Sequence, residues 1–145
     1  MDINKILSQS VRLSIVHSQF YKIWDSKNFD NSGVYLLQRI DENEKIKPIP
    51  RLLDSDDQGV LYIGKSDNLN NRLGILINLL NGTSTTGKHS MGRRFQEIEK
   101  FQEYLRPENM ILRIFFCDSP RQVESSLLEE YLQEYGELPP LNNSR

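Results

Sequence analysis

Three side chains between positions 62 and 72 have the chemistry to bind a phosphate group together. Tyr62 offers a phenol, Lys65 an amine and Arg72 a guanidinium. Two cations and a hydroxyl suit a phosphate because they offset its charge and donate hydrogen bonds to its oxygens. The secondary structure around these residues must bring the three groups to one place.

The elements around this stretch predict that the three groups converge. Residues 60–63 are uncharged, branched, aliphatic or aromatic, which indicates a short buried strand. Gly64 predicts a tight turn, since glycine adopts backbone conformations that a Cβ atom disfavours. Ser66 or Asp67 is expected to cap the helix that follows. The apolar face of that helix consists of Leu69, Leu73, Leu76, Ile77 and Leu80. Arg72 falls at the edge of this face, because successive side chains are about 100° apart.

These residues and others along the chain resemble the motifs of the GIY-YIG nuclease family. Gly33-Val34-Tyr35 and Tyr62-Ile63-Gly64 look like the two tripeptides that name the family. Lys65 and Arg72 follow at the family's spacing, and a helical glutamate and a Pro-Leu-Asn sequence near the end of the chain complete the pattern. The resemblance runs roughly from Ser32 to Asn143, which is most of the chain.

The resemblance implies a metal-dependent endonuclease that hydrolyses DNA phosphodiester bonds with water. Such a reaction needs a base for the water, charge compensation on the phosphate and help for the leaving oxygen. We assign the base to Tyr35, with Lys65 nearby lowering its pKa; Tyr62 could take that role instead or hold the water. Arg72 would neutralise the phosphate. Glu124 would hold one divalent metal ion, Mg²⁺ or Mn²⁺.

The acid assigned to the metal lies on a helix predicted over Pro120 to Tyr135. Its apolar arc consists of Val123, Leu127, Leu128, Tyr131, Leu132 and Tyr135. Glu124 projects into this arc, and a carboxylate that faces a core needs a compensating partner. A metal ion or a salt bridge to Arg72 would serve. Glu129 points almost opposite, although its spacing to Asn142, the asparagine that supports the site in the family, fits slightly better. We prefer Glu124.

A basic segment, residues 88–95, follows the helix of Leu69 to Leu80 after a loop of small residues. The resemblance gives His89 a catalytic place near the scissile phosphate, and we assign Lys88, Arg93 and Arg94 to the substrate backbone. The alternative is a solvated basic turn. Between positions 64 and 94 five bases face one acid, a net charge of +4, although the whole chain carries −2. Such a patch can dock DNA with strongly salt-dependent affinity.

The chain, residues 1–145, is expected to form a single α/β domain. Its length suits one core. Residues 2–24 predict one or two helices within an N-terminal helical extension, residues 1–30, and residues 95–105 predict another helix. The resemblance implies a small, mainly antiparallel sheet of three strands flanked by helices. The strands are Gly33–Arg39, Val60–Ile63 and Met110–Phe116. The long acidic connection 41–58 has three interpretations: specificity element, partner site or solvated loop. We slightly favour the last.

Composition indicates a cytoplasmic protein. The single cysteine, Cys117, excludes an internal disulfide framework and suits a reducing compartment. No apolar run approaches the ~20 residues of a membrane span, and the first residues lack a signal-peptide pattern. The expected partner is DNA, with a homodimer or a separate specificity partner supplying target selection. The alternative function is a catalytically silent module that binds nucleic acid or protein on the same fold.

Overall fold

The computed structural model contains a four-stranded antiparallel sheet with helices on both faces. It describes residues 2–24, 31–83, 89, 91, 95 and 97–142. In chain order the elements are α1 (Ile3–Gln9), β1 (Val11–Ser14), α2 (His17–Trp24), β2 (Gly33–Arg39), β3 (Ile49–Pro50), β4 (Ser55–Asp56), β5 (Val60–Ser66), α3 (Leu69–Leu80), α4 (Glu99–Tyr104), β6 (Met110–Phe116) and α5 (Pro120–Tyr135). No helix within this part of the chain has the length and apolarity needed to cross a membrane.

The strand order of the main sheet is β1-β6-β2-β5, and each neighbouring pair is antiparallel. Tyr35 at the middle of β2 faces Gly64 on β5 and Ile114 on β6. The α/β class is therefore confirmed, and the sheet is antiparallel throughout. β5 is an edge strand.

The prediction of three strands is wrong because β1 was interpreted as part of a helix. Leu13 is buried and pairs with Leu112, whereas Arg12 beside it is exposed. α1 ends at Gln9, where the Ser10 hydroxyl bonds to the Leu7 carbonyl. The apolar residues of this region fit a helical spacing almost as well as an alternating one. Pairing with β6 decides the outcome, because it satisfies the backbone of four residues that have no helical partner.

Successive side chains of β2 point to opposite faces of the sheet and so contribute to two separate hydrophobic clusters. Tyr35 and Leu37 point into one cluster, which contains residues of α2 and α3, while Val34 and Leu36 point into another, which contains residues of α1 and α5. The sheet is thus covered on both faces, which explains why all four of these side chains have no exposed surface.

The predicted limits of α5 agree with the structure, whereas the cap predicted for α3 is wrong. The cap of α3 is Asn68, whose side chain accepts a hydrogen bond from the Asn71 amide, and neither Ser66 nor Asp67 takes that place. The helix expected over 95–105 is also different, since α4 has Ile98 as its N-cap and ends at Tyr104.

The acidic connection 41–58 is more ordered than the solvated loop that we favoured. It contains the short β3–β4 pair, and Asp56 is 1% exposed. The Asp56 carboxylate accepts hydrogen bonds from the amides of Gln58 and Val60 and from the Tyr131 hydroxyl of α5. Sequence reasoning took these acids as exposed because carboxylates are seldom buried without partners. The partner on α5, which lies far along the chain, makes burial of this one favourable.

Candidate active site

Gly64 lies within β5 and forms no turn, which corrects the role predicted for it. Its backbone pairs with Tyr35 on β2, and the strand continues to Ser66. A Cβ atom at Gly64 would lie 2.6 Å from Cζ and 2.7 Å from the hydroxyl of Tyr35, and 2.7 Å from Cε2 of Tyr62. Glycine is needed here because the two tyrosine rings occupy the space of a side chain.

Three aromatic rings meet beside Gly64. The ring centroids of Tyr35 and Tyr62 are 6.1 Å apart, and the His89 ring lies 6.1 Å from the first and 5.8 Å from the second. The Tyr35 hydroxyl and Nε2 of His89 are joined by a 2.6 Å hydrogen bond. Tyr35 and His89 are both fully buried, whereas Tyr62 is partly exposed. The two tyrosines of the motif therefore occupy different environments.

Burial sets the protonation of the Tyr35–His89 pair. It raises the pKa of Tyr35 well above the usual value, with a smaller contribution from Tyr62, and the nearby Arg72 opposes the rise. Burial, followed by the positive charge of Arg72, lowers the pKa of His89 to about 3. A neutral phenol therefore shares a hydrogen bond with a neutral imidazole at pH 7. The expectation that Lys65 lowers the pKa of Tyr35 is wrong, because burial outweighs every nearby charge.

Glu124 lies in the same electrostatic neighbourhood as the two predicted cations. Burial raises the pKa of its carboxyl group, and Lys65 and then Arg72 oppose that rise. Three elements supply these groups: β5 carries Lys65, the first turn of α3 carries Arg72, and α5 carries Glu124. Lys65 is exposed, and the other two are partly buried. Among the described residues no ion pair joins Glu124 to Arg72.

Glu129, the other glutamate considered for the metal, forms a local contact on its own helix. Its carboxylate accepts a 3.0 Å hydrogen bond from Gln133, four residues further along α5. The charges of Lys65 and Arg72 act on the Glu124 carboxyl group, which groups Glu124 with the basic residues.

The donor atoms present fit some metal ions better than others. Within the described part of the chain, no three His, Cys, Asp or Glu side chains cluster as a ready-made metal cage. A single partly buried carboxylate fits Mg²⁺, which commonly binds through one or two carboxylates and takes its remaining ligands from water and phosphate oxygens. It does not fit an ion that requires four protein ligands, such as structural zinc.

Asn142 holds the backbone of β5 next to the aromatic group. Its side-chain amide accepts from the Ile63 amide and donates to the Ile63 carbonyl, both at 3.0 Å. One residue earlier, the Leu141 amide bonds to the Leu61 carbonyl at 2.9 Å. Ile63 lies between Tyr62 and Gly64, so this clamp fixes the strand at the point where the rings meet.

Six of the seven residues predicted to be catalytic surround this point through direct contacts or charge interactions. They are Tyr35, Tyr62, Lys65, Arg72, His89 and Glu124. Asn142 supports them by bonding to the outer edge of β5. The predicted substrate-binding residues Lys88, Arg93 and Arg94 lie outside the described residues. Sequence reasoning missed the contact of Arg51 with Glu137, which lies just beyond the end of α5. Opposite charges 86 positions apart give no signal in a single sequence.

Comparisons with known proteins add no relative to this picture. No protein-family model, curated protein or solved structure matches the chain. The interpretation of the site therefore depends on its own geometry and on the motifs.

Proposed function

We propose that this protein is a metal-dependent endonuclease that hydrolyses DNA phosphodiester bonds by a GIY-YIG-type mechanism. The observation that supports it most is the buried 2.6 Å hydrogen bond between Tyr35 and His89, with the charge of Arg72 acting on both groups. A hydrophobic core gains little from a phenol, an imidazole and a cation in one place, because each polar group must be desolvated. A site that moves protons next to a phosphate needs all three.

In this proposal the Tyr35–His89 pair accepts the proton of the attacking water. Tyr35 by itself is a poor base, since burial raises its pKa. Its own proton can pass to Nε2 of His89 as the phenol oxygen takes the proton of the water. Arg72 helps to keep the His89 pKa low. A bound phosphate would offset that positive charge, so the imidazole would become more basic when substrate is present.

The remaining groups act on the phosphate and the leaving oxygen. Arg72 donates to the phosphate oxygens and stabilises the negative charge that develops on them. Tyr62, partly exposed at the rim, positions the water or the phosphate, and Lys65 adds a second positive charge. A Mg²⁺ or Mn²⁺ ion held by Glu124 would supply positive charge to the phosphate and to the departing 3′-oxygen. Target selection would come from a second copy or a separate specificity partner.

A plasmid-nicking assay with two matched variants tests the proposal. Supercoiled DNA would be incubated with Mg²⁺ or Mn²⁺ and wild type, Glu124→Gln or Glu129→Gln. Both substitutions remove one charge from the same helix. We expect Glu124→Gln to reduce nicking at least about a hundredfold, since it removes the ligand of a metal that supplies several kcal/mol, and Glu129→Gln to cleave like wild type. The reverse ranking would refute the assignment of Glu124, and no metal-dependent cleavage by wild type would refute the proposed function.

A catalytically silent binding module is the second candidate, and the full burial of Tyr35 and His89 favours it. The pair could be a hydrogen-bonded part of the core that never meets substrate. Tyr35→Phe distinguishes the two because it keeps the ring and removes only the hydroxyl. A silent module would bind oligonucleotide or protein equally well with phenylalanine, whereas the nuclease would bind DNA and lose cleavage.

A further inference from the structure

Residues 51–56, here called the brace, contact the segment that follows α5. The guanidinium of Arg51 donates 2.8 Å to the carbonyl of Leu138 and forms an ion pair with the Glu137 carboxylate. The Leu53 amide donates to the carbonyl of Tyr135, the last residue of α5. The brace is therefore joined to the chain on both sides of Gly136.

Two further features show that the brace has one defined position. Asp56 at its end is buried and bonds to the Tyr131 hydroxyl at 2.8 Å. Gly136 has a φ of +78°, and a Cβ atom there would lie 2.8 Å from Cγ of Leu53. Glycine at position 136 thus allows the left-handed backbone that ends α5 and leaves room for Leu53 of the brace.

The same segment leads directly to the clamp on β5. After Glu137 and Leu138, the chain makes a turn in which the Asn142 amide bonds to the Pro139 carbonyl at 3.0 Å. Leu141 is 2% exposed, so the tail is packed against the core. Asn142 then holds Ile63, between the ring of Tyr62 and the close contact at Gly64.

Arg51 is oriented at some energetic cost. Its Nε is buried and has no hydrogen-bond partner within the described residues. Leaving a buried donor unsatisfied is unfavourable, so the two bonds made by its terminal nitrogen must outweigh that loss. Both bonds go to the segment 137–138, which lies only four or five residues before Asn142.

We propose that Arg51 is a positioning residue, which fixes the segment 137–142 so that Asn142 holds Ile63 in place. Through Ile63 it sets the positions of Tyr62 and Gly64. The connection 41–58 would then be an internal support for the site. The effect on cleavage rests on the proposed endonuclease function, whereas the effect on Ile63 does not.

The test measures the clamp and the chemistry separately. Amide hydrogen exchange at Ile63, followed by NMR, reports the bond to Asn142 directly. In Arg51→Met we expect exchange at Ile63 to become about tenfold faster, because a charge-assisted hydrogen bond that held the tail is lost. We expect kcat for nicking to fall tenfold to about a hundredfold while KM changes less than about twofold, since a displacement of about 1 Å mainly affects the transition state. Arg51→Lys, which keeps the positive charge, should show Ile63 exchange and kcat between those of wild type and Arg51→Met.

Tyr131→Phe is the matched control, because it removes the side-chain hydrogen bond between the brace and α5 without substituting Arg51. It should lower the free energy of unfolding without changing Ile63 exchange or kcat. Unchanged Ile63 exchange in Arg51→Met would overturn the proposal, and so would equal loosening of Ile63 by Tyr131→Phe. Faster exchange in Arg51→Met with unchanged kcat would overturn the positioning role. If wild type cleaves no DNA, the nuclease function fails, and faster Ile63 exchange in Arg51→Met still supports the role of Arg51 in fixing the segment 137–142.

Discussion

Gly64→Ala is the most informative single change because it adds one methyl group at the point where the site is most crowded. The new Cβ would lie 2.6 to 2.7 Å from atoms of Tyr35 and Tyr62. A Cβ contact normally lies at 3.4 Å or more, so one ring or the strand must move by about 1 Å. The Tyr35 ring cannot turn away freely, since it is fully buried and bonded to His89 at 2.6 Å.

The expected cost has two parts that different assays measure. Overpacking of this kind typically lowers the free energy of unfolding by about 1–3 kcal/mol, which urea denaturation would detect. If the Tyr35 hydroxyl acts as proposed, displacing it by about 1 Å should reduce kcat roughly a hundredfold in the plasmid-nicking assay. The loss of activity should therefore be much larger than the fraction of protein that unfolds.

Gly74→Ala provides the matched control. The same methyl group on α3 would meet only the Tyr21 hydroxyl, at an ordinary 3.5 Å. Alanine in a helix interior should raise the free energy of unfolding by about 0.5–1 kcal/mol, because glycine loses more conformational freedom on folding. If Gly64→Ala were as stable and active as Gly74→Ala, the crowding argument and the assignment of Tyr35 would both be refuted.

Two further predictions concern buried polar groups. Because the pKa of His89 is lowered to about 3 in the folded protein, the unfolded chain binds an extra proton between about pH 3 and 6.5. The free energy of unfolding should therefore fall as pH is lowered, by up to about 1.4 kcal/mol per pH unit from this group; an identical pH slope in His89→Gln would contradict this. Asp56→Ala should lower the free energy of unfolding by about 3–5 kcal/mol, since it leaves buried donors unsatisfied, whereas Asp57→Ala, at an exposed position, should change it by less than about 0.5 kcal/mol. Similar losses in both aspartate variants would show that the Asp56 bonds contribute little.

Local patterns in the sequence were enough for the elements that form within one stretch of chain. The apolar spacing of α3 and α5, the apolar run of β2 and the run of β6, broken only by Arg113, predicted these elements because each depends on its own residues. β1 is different, since its four residues become a strand only by pairing with β6, which lies about one hundred positions further on. Pairing over that distance leaves no trace in a short segment.

The structure brings together residues that the motifs grouped, but the burial and protonation of those residues were not predicted. The motifs grouped Tyr35 and His89, and the structure joins them by a hydrogen bond over 54 positions. The expected direction of the Tyr35 pKa was reversed, because burial depends on the packing of β2 under several other elements. The burial of Asp56 was not predicted for the same reason, since its partner Tyr131 lies 75 positions away. Charge and polarity can be read from a sequence, whereas solvent access cannot.

The hydrogen bonds from Leu141 and Asn142 to β5 also bear on self-association. An edge strand with free amide and carbonyl groups can pair with a strand of another molecule, which is a common start of aggregation. Here the groups of Leu61 and Ile63 on that edge are already occupied. A protein cut before Leu141 would expose an apolar strand with unpaired backbone groups. Protease cleavage before Leu141 would therefore reduce solubility as well as disturb the site.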